Sequence, residues 1–254
     1  MTKKYKPSKA FEKNLAKKIY VAGDSFSSLA NDQAEGNSWS ELIADKLELE
    51  LVNIGRPAAS NLLIALQIDW ITQRIKPEDL VIIYLTDHNR KALVDLSVER
   101  DSRKSLLEMH SLHPRQQKSK HLAYSSHPPR IIASHPSFTA ASHPNHTKEI
   151  TEFYKNWFDS ELQEAEDIFI ITGALAKLSE ITDNFLVCSG GFGEYNKNIN
   201  HDTFSIDSKH FIKKVNSENL IKWTAKQNYI NHIDDITHRK VSTLIISHLD
   251  KYFS

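Results

Sequence analysis

Short apolar runs that alternate with amphipathic segments restrict the fold of this chain more than any other feature. The runs with the length and composition of buried strands are Lys18–Ala22, Leu49–Ile54 and Leu80–Leu85. Between them, apolar residues recur at helical spacing over Trp39–Leu47 and Leu62–Ile75. Strands and helices that alternate in this way form parallel sheets covered on both faces. The first third of the chain therefore predicts an α/β fold.

The second half of the chain continues the alternation. The predicted strands there are Asp167–Ile171 and Asn184–Val187, and the predicted helices are Thr151–Glu164, Ala174–Ile181, Ile206–Val215, Glu218–Gln227 and His238–Tyr252. Residues 91–147 interrupt the pattern as an irregular insertion rich in histidine and proline. The sequence predicts a single domain over residues 1–254, with a three-layer α/β/α architecture and a central parallel sheet of about five strands.

The charges of the chain balance, with 32 Lys and Arg against 32 Asp and Glu in 254 residues. This balance provides no long-range attraction to nucleic acid or to a membrane surface. No stretch approaches the roughly 20 apolar residues of a membrane span. Cys188 is the only cysteine, which excludes an internal disulfide and favours a reducing compartment. We expect a cytoplasmic protein, and the sequence leaves its oligomeric state open.

Ser25 follows the first predicted strand after only a glycine and an aspartate. Open α/β sheets hold their active sites at the carboxyl ends of parallel strands. A serine hydroxyl is a weak nucleophile and needs a base. His238 lies at the start of the last predicted helix, with Asp235 three residues earlier. These residues predict a serine hydrolase, while Asp234 is either a competing acid or a negative charge at a helix N-terminus.

Three segments resemble sequence blocks of the SGNH (GDSL-type) hydrolases. Gly23-Asp24-Ser25-Phe26-Ser27 is similar to their first block, Val52–Asn61 to their second, and Asp235-x-x-His238 to their last. The Arg-Pro-x-x-Ser-Asn pattern inside the second segment also resembles some phage-encoded members of this superfamily. The resemblance implies a flavodoxin-like SGNH hydrolase fold and the hydrolysis of acyl esters.

The resemblance also implies a role for each residue of the triad. Ser25 attacks the acyl carbonyl, His238 accepts the serine proton and returns one to the leaving alcohol, and Asp235 orients the imidazole. The implied substrate is an acyl ester, for example an O-acetyl ester, of a small molecule or a carbohydrate. We expect no cofactor and no metal ion.

The oxyanion hole that the family implies differs in this sequence. Besides the serine N–H, the family uses a glycine N–H from the second block and an asparagine from the third, and these positions hold Ala58 and Asp87. A backbone N–H remains at Ala58, whereas an ionised Asp87 accepts hydrogen bonds and repels an oxyanion. Thr86, Asn89 or Arg90 on the same loop are alternative donors. The candidate oxyanion and substrate-binding residues are Asp24, Arg56, Ala58, Thr86, Asp87 and Asn89.

Other interpretations stay open. Asp87 favours a protein of the hydrolase fold that binds a ligand or serves a structural role without catalysis. Arg56 either holds a substrate carboxylate or phosphate or forms a structural ion pair. The insertion contains Ser-His-Pro at residues 126–128, 134–136 and 142–144, which is typical of an extended loop or lid. The alternatives for these repeats are substrate contacts, a metal site, or a salt-dependent contact with nucleic acid or a phosphorylated partner.

Overall fold

The computed structural model describes residues 16–28, 37–56, 59–94, 111–112, 122–125, 131–134, 148–192, 198–224 and 233–253. The strands are β1 (Lys18–Ala22), β2 (Glu50–Asn53), β3 (Leu80–Tyr84), β4 (Lys91–Val94), β5 (Ser111–Leu112), β6 (Leu122–Ser125), β7 (Ile131–Ser134), β8 (Phe185–Gly190) and β9 (Phe211–Asn216). The helices are α1 (Trp39–Leu47), α2 (Asn61–Thr72), α3 (Lys148–Asn156), α4 (Ser160–Ser179), α5 (Ser217–Trp223) and α6 (Asp235–Tyr252).

Five parallel strands form the centre of the molecule, in the spatial order β2-β1-β3-β8-β9. This is the strand order of flavodoxin-like sheets. One buried cluster lies between the sheet and helices α1 and α6, and a second lies between the opposite face and helices α2 and α4. The prediction of a three-layer α/β/α fold with about five parallel strands is confirmed.

The best-predicted elements carry their own local signals. β3 is buried at every position, as expected of a central parallel strand. Helix α1 begins at a capping box, in which the Ser38 hydroxyl accepts from the N–H of Glu41 and the Glu41 carboxylate accepts from the N–H of Ser38. Both β1 and α1 have the bounds that the sequence predicts.

Two predicted elements have the wrong type, and the helix predicted over Thr151–Glu164 is divided between α3 and α4. The apolar run Asp167–Ile171 belongs to α4 and not to a strand, because a short apolar run fits a buried strand or a buried helix equally well. The helix predicted over Ile206–Val215 is largely β9, which pairs in parallel with β8. The fifth strand of the sheet is therefore β9.

The segment predicted to be irregular contains regular structure. β4 pairs in antiparallel fashion with β7. β6 extends the central sheet by pairing in parallel with β2, and β5 pairs in antiparallel fashion with β6. Strands as short as these leave little periodicity for a sequence pattern to detect. In the described part of the chain, no helix has the length and apolar character needed to cross a bilayer.

Candidate functional site

The turn that carries Ser25 is fixed by a glycine and a buried glutamine. Gly23 has φ +151°, and a Cβ placed there would lie 2.7 Å from the carbonyl oxygen of Tyr84, so only glycine fits without strain. Gln67 of α2 accepts from the Gly23 N–H at 2.7 Å and donates to the Gly23 carbonyl at 3.2 Å. Ser25 is partly exposed, whereas Asp24 before it is buried. The serine is thus presented on a rigid backbone at the carboxyl end of β1.

Asp24 connects two loops and is 1% exposed. Its carboxylate accepts from the N–H of Phe26 at 2.9 Å, from the hydroxyl of Thr86 at 2.8 Å and from the guanidinium of Arg90 at 3.3 Å. Burial raises the pKa of Asp24, and the charge of Arg90 opposes that shift. Through these hydrogen bonds, Asp24 connects the loop after β1 to the loop after β3, so its role in this structure is to hold the two loops together.

The loop after β2 is held against the same turn. The Asn53 amide donates to the carbonyl of Ser27 at 2.7 Å, and its side-chain oxygen accepts from the N–H of Gly55 at 2.9 Å. The N–H of Arg56 donates to the carbonyl of Gly23 at 2.9 Å. The Arg56 side chain is buried, and this burial lowers its pKa to about 9. Ala58, the predicted oxyanion donor of this loop, lies outside the described residues.

The loop after β3 uses its polar groups within the protein. The Thr86 hydroxyl donates to Asp24. The carboxylate of Asp87 accepts from both the backbone N–H and the side-chain amide of Asn89, each at 2.9 Å. The Asn89 side-chain oxygen accepts from the hydroxyl of Ser160 at 2.9 Å. All three side chains predicted as replacement donors, Thr86, Asn89 and Arg90, therefore donate to carboxylates in this structure.

His238 lies in the first turn of α6 and is 2% exposed. Asp234 is the N-cap of that helix and accepts from the N–H of Thr237 at 2.9 Å. Asp235 is the first helical residue and is partly exposed. The ring nitrogen Nδ1 of His238 accepts a hydrogen bond from the backbone N–H of Trp39 at 3.1 Å.

Trp39 links the histidine to the serine turn. Its backbone contacts His238, and its indole N–H donates to the carbonyl of Phe26 at 2.8 Å. Phe26 directly follows Ser25, and Trp39 itself is fully buried. The structure thus connects the serine turn and the first turn of α6 through Trp39. Because an amide can only donate here, Nδ1 is unprotonated and the proton of the neutral ring lies on Nε2.

Several positioning residues were not predicted from the sequence. They are Trp39, Asn53, Asn61, Gln67 and Asp167. Asn61 accepts from the N–H of Thr86 and donates to its carbonyl, both at 3.0 Å, and also donates to Asp167 at 2.8 Å. One sequence signal could have identified Gln67: it is a polar residue at a position of α2 where the helical spacing predicts a buried apolar one.

A pocket of about 290 Å³ lies away from Ser25, between α4 and the amino ends of β8 and β9. Asp183 on its wall accepts from Lys209 at 2.7 Å and pairs with His210 at 3.1 Å. The other ring nitrogen of His210 lies 2.8 Å from the carbonyl of Phe185. Burial lowers the pKa of His210, while these two acceptors oppose the shift. The charges on this wall compensate one another, as in a structural network.

The described residues contain no group of three His, Cys, Asp or Glu side chains that could hold a metal ion. The histidines of the Ser-His-Pro repeats lie outside the described residues. Neither a scan against protein-family models nor a search of curated proteins finds a match for the chain.

Proposed function

We propose that this protein is a serine ester hydrolase of the SGNH type. One observation carries the proposal: Trp39 contacts both His238 and the carbonyl of Phe26, the residue after Ser25. Ser25 and His238 are more than 200 residues apart in the sequence, and a residue that contacts both segments can hold the nucleophile and the base near each other. The rigid turn around Gly23 adds support, because preorganised geometry is what a serine nucleophile requires.

In the proposed reaction, Ser25 Oγ attacks the acyl carbonyl while His238 takes the hydroxyl proton. Collapse of the tetrahedral intermediate expels the alcohol, which receives that proton, and leaves an acyl-serine. Water then attacks the acyl-serine with His238 again as the base, which releases the acid and regenerates Ser25. Asp235 orients the imidazole and stabilises its positive charge.

Base catalysis by His238 requires the ring to leave the orientation described here. The nitrogen that faces Ser25 must be unprotonated, and the other must donate to the acid. Rotation about the Cβ–Cγ bond moves Nδ1 away from the Trp39 N–H and breaks that bond, and proton exchange with water then places the ring proton on Nδ1 and leaves Nε2 unprotonated. That bond is a neutral hydrogen bond with a net value of about 1 kcal/mol, which substrate binding can offset.

The oxyanion donors in this proposal are backbone groups. Thr86 and Asn89 already donate to carboxylates, so we assign the role to the N–H of Ser25 and the N–H of Ala58. Each such donor contributes about 3 kcal/mol to stabilisation of the transition state. The proposed substrate is an acyl ester, such as an O-acetyl ester, of a small molecule or a carbohydrate.

Hydrolysis of p-nitrophenyl acetate tests the proposal. We expect Ser25→Ala and His238→Ala each to lower kcat/KM by about 10³-fold or more. Ser208→Ala, at an exposed serine of a short 3-10 turn, serves as the control and should retain full activity. Unchanged turnover in either site variant, with the fold intact, would refute the triad.

A second candidate function is ligand binding without catalysis. The bond from Trp39 to Nδ1 favours it, because the resulting tautomer makes Nε2 of His238 a donor and not a base. A serine-directed fluorophosphonate separates the two candidates. Labelling at Ser25 supports the hydrolase, whereas a folded protein that never labels supports the binding protein.

A further inference from the structure

Ser160 forms a hydrogen-bonded pair with a buried histidine of the loop after β3. Ser160 is the first residue of α4 and is exposed, and its Oγ lies 3.0 Å from Nε2 of His88. His88 is 3% exposed, and its ring lies nearly perpendicular to that of Phe192, with the centroids 6.0 Å apart. A serine hydroxyl within hydrogen-bond reach of an imidazole nitrogen has the geometry of a nucleophile beside its base. The pair contains neither Ser25 nor His238.

A carboxylate faces the other ring nitrogen of His88. Nδ1 is buried and has no hydrogen-bond partner among the residues that the structure describes, and Oδ1 of Asp87 lies 3.8 Å from it. At that distance the contact is electrostatic and is not a hydrogen bond. A proton on Nδ1 is attracted by this negative charge, whereas a lone pair on Nδ1 would be repelled by it. The contact therefore favours the tautomer in which Nδ1 holds the proton and Nε2 is an acceptor that faces Ser160.

The hydroxyl proton of Ser160 has two acceptors within reach. The side-chain oxygen of Asn89 lies 2.9 Å from Oγ, and Nε2 of His88 lies 3.0 Å from it. Because a serine hydroxyl carries one proton that rotates about the Cβ–Oγ bond, it can turn from one acceptor to the other while the heavy atoms stay in place. The bond to Asn89 holds the serine at rest, and a turn of the proton towards His88 prepares Oγ for attack.

The N-terminus of α4 provides donors for the charge that such an attack creates. Asp159 is the N-cap of the helix, and its carboxylate accepts from the N–H of Leu162 at 2.8 Å. Because the first N–H groups of a helix have no acceptor inside it, those of Ser160 and Glu161 can donate to an oxyanion that forms beside Oγ. The positive end of the dipole of this 20-residue helix also favours negative charge there.

We propose that Ser160 is a second nucleophilic centre, which takes up the acyl group of an activated acyl ester with His88 as its base. Oγ attacks the acyl carbonyl while Nε2 accepts the hydroxyl proton. Collapse of the tetrahedral intermediate breaks the bond to the alcohol, which receives that proton, and leaves an acyl-serine. Because His88 is buried, water has little access to Nε2 after acylation, so the acyl-serine persists and does not turn over. The inference does not depend on the proposed role of Ser25.

Reaction of the full-length Ser25→Ala protein with p-nitrophenyl acetate tests the proposal, because mass spectrometry of its peptides identifies the serine that is modified. We expect about one acetyl group per chain, located on Ser160, and release of about one equivalent of nitrophenolate without further turnover. The double variant that also carries Ser160→Ala should release none. Ser179 is the internal control, because it is an exposed serine of the same helix whose hydroxyl donates to the carbonyl of Ala176 at 2.7 Å, and it should stay unmodified.

His88→Gln tests the base, because an amide can form a hydrogen bond with Oγ but does not take up its proton. Added to Ser25→Ala, this substitution should slow the acetylation of Ser160 by about 10²-fold or more, with circular dichroism as the check on the fold. A serine-directed fluorophosphonate on the wild type gives a readout without any substitution, and a label on Ser160 but not on Ser25 would support this inference and refute the esterase. The inference is overturned if Ser160 stays unmodified in the folded protein, if Ser179 reacts as fast, or if a folded His88→Gln protein reacts at an unchanged rate.

Discussion

The backbone N–H of Trp39 donates to Nδ1 of His238 across 3.1 Å, in the interior of the protein. The bond joins the first residue of α1 to the first turn of α6. In a Ser-His-Asp triad, Nδ1 carries a proton and donates a hydrogen bond to the acid. In this structure Nδ1 is an acceptor, so the resting histidine has the opposite tautomer.

The tautomer of His238 is directly measurable. In ¹⁵N spectra at pH 8, we expect Nδ1 of His238 to have the shift of an unprotonated nitrogen and Nε2 that of a protonated one. The amide of Trp39 should exchange slowly with solvent, because its partner is buried. The partly exposed ring of His201, whose Nδ1 lies 3.2 Å from a carboxylate oxygen of Asp202, provides the comparison and should favour the tautomer with the proton on Nδ1. A protonated Nδ1 on His238 would contradict the bond and favour the resting triad.

The hydroxyl of Thr86 supports the buried carboxylate of Asp24. Thr86→Val keeps the shape of the side chain but removes the donor at 2.8 Å. We expect a loss of about 1–3 kcal/mol in the free energy of unfolding, because a buried acceptor loses a partner. Thr86→Ser retains the hydroxyl and should lose less, and urea denaturation measures both. Equal losses in the two variants would show that packing, and not the hydrogen bond, matters at this position.

A single substitution, glycine to alanine, should have opposite effects at two positions. At Gly23 the added Cβ meets the carbonyl of Tyr84 at 2.7 Å and φ is +151°, so we expect a loss of about 2–4 kcal/mol. At Gly173, on the exposed face of α4, the Cβ meets open space. There we expect a gain of about 0.5–1 kcal/mol from helix propensity. Urea denaturation of the two variants checks the pair, and a mild effect at Gly23 would mean that the turn relaxes.

The strands and helices that the sequence predicts well are those whose burial is uniform. β1 and β3 lie at the centre of the sheet, where every residue except Lys18 at the start of β1 is buried, and the amphipathic α1 begins at its own capping box. β9 is an edge strand with two exposed lysines in its middle, so its pattern matches neither period. In α4, the run Asp167–Ile171 concealed the helical period, because the exposed Phe169 is apolar like the buried Ile171.

The residues of the candidate site also differ in how well the sequence predicts them. Ser25 is visible in the sequence because a glycine and an acid at the end of an apolar run form a local pattern. The clamp of Gln67 on Gly23 and the bond from Trp39 to His238 join residues far apart in the chain. Such contacts depend on the packing of helices onto the sheet, and no local pattern encodes them. Sequence reasoning therefore finds the reactive groups better than the residues that hold them.

Asp167 is the buried carboxyl group on the core face of α4. It accepts from the amides of Asn61 and Gln163, both at 2.8 Å. Burial raises the pKa of Asp167 to about 7, while the two amides and the charge of Lys91 oppose the shift and Glu166 adds to it. Through Asn61, this carboxyl group also connects to the backbone of Thr86 in the loop after β3.

The raised pKa of Asp167 predicts how stability depends on pH. An unfolded aspartate titrates near pH 3.9, so between about pH 4 and 7 the folded chain binds a proton that the unfolded chain does not. This contribution to the free energy of unfolding is fully present below pH 4 and is lost as the pH rises through 7.

Asp167→Asn cannot titrate, so its unfolding free energy should fall less between pH 5 and 8 than that of the wild type, by on the order of 2 kcal/mol. Urea denaturation across this range measures the difference, with Asp202→Asn, at a side chain that is 80% exposed, as the control that keeps the wild-type slope. Parallel curves for wild type and Asp167→Asn would mean that Asp167 is ionised in the folded protein throughout this range.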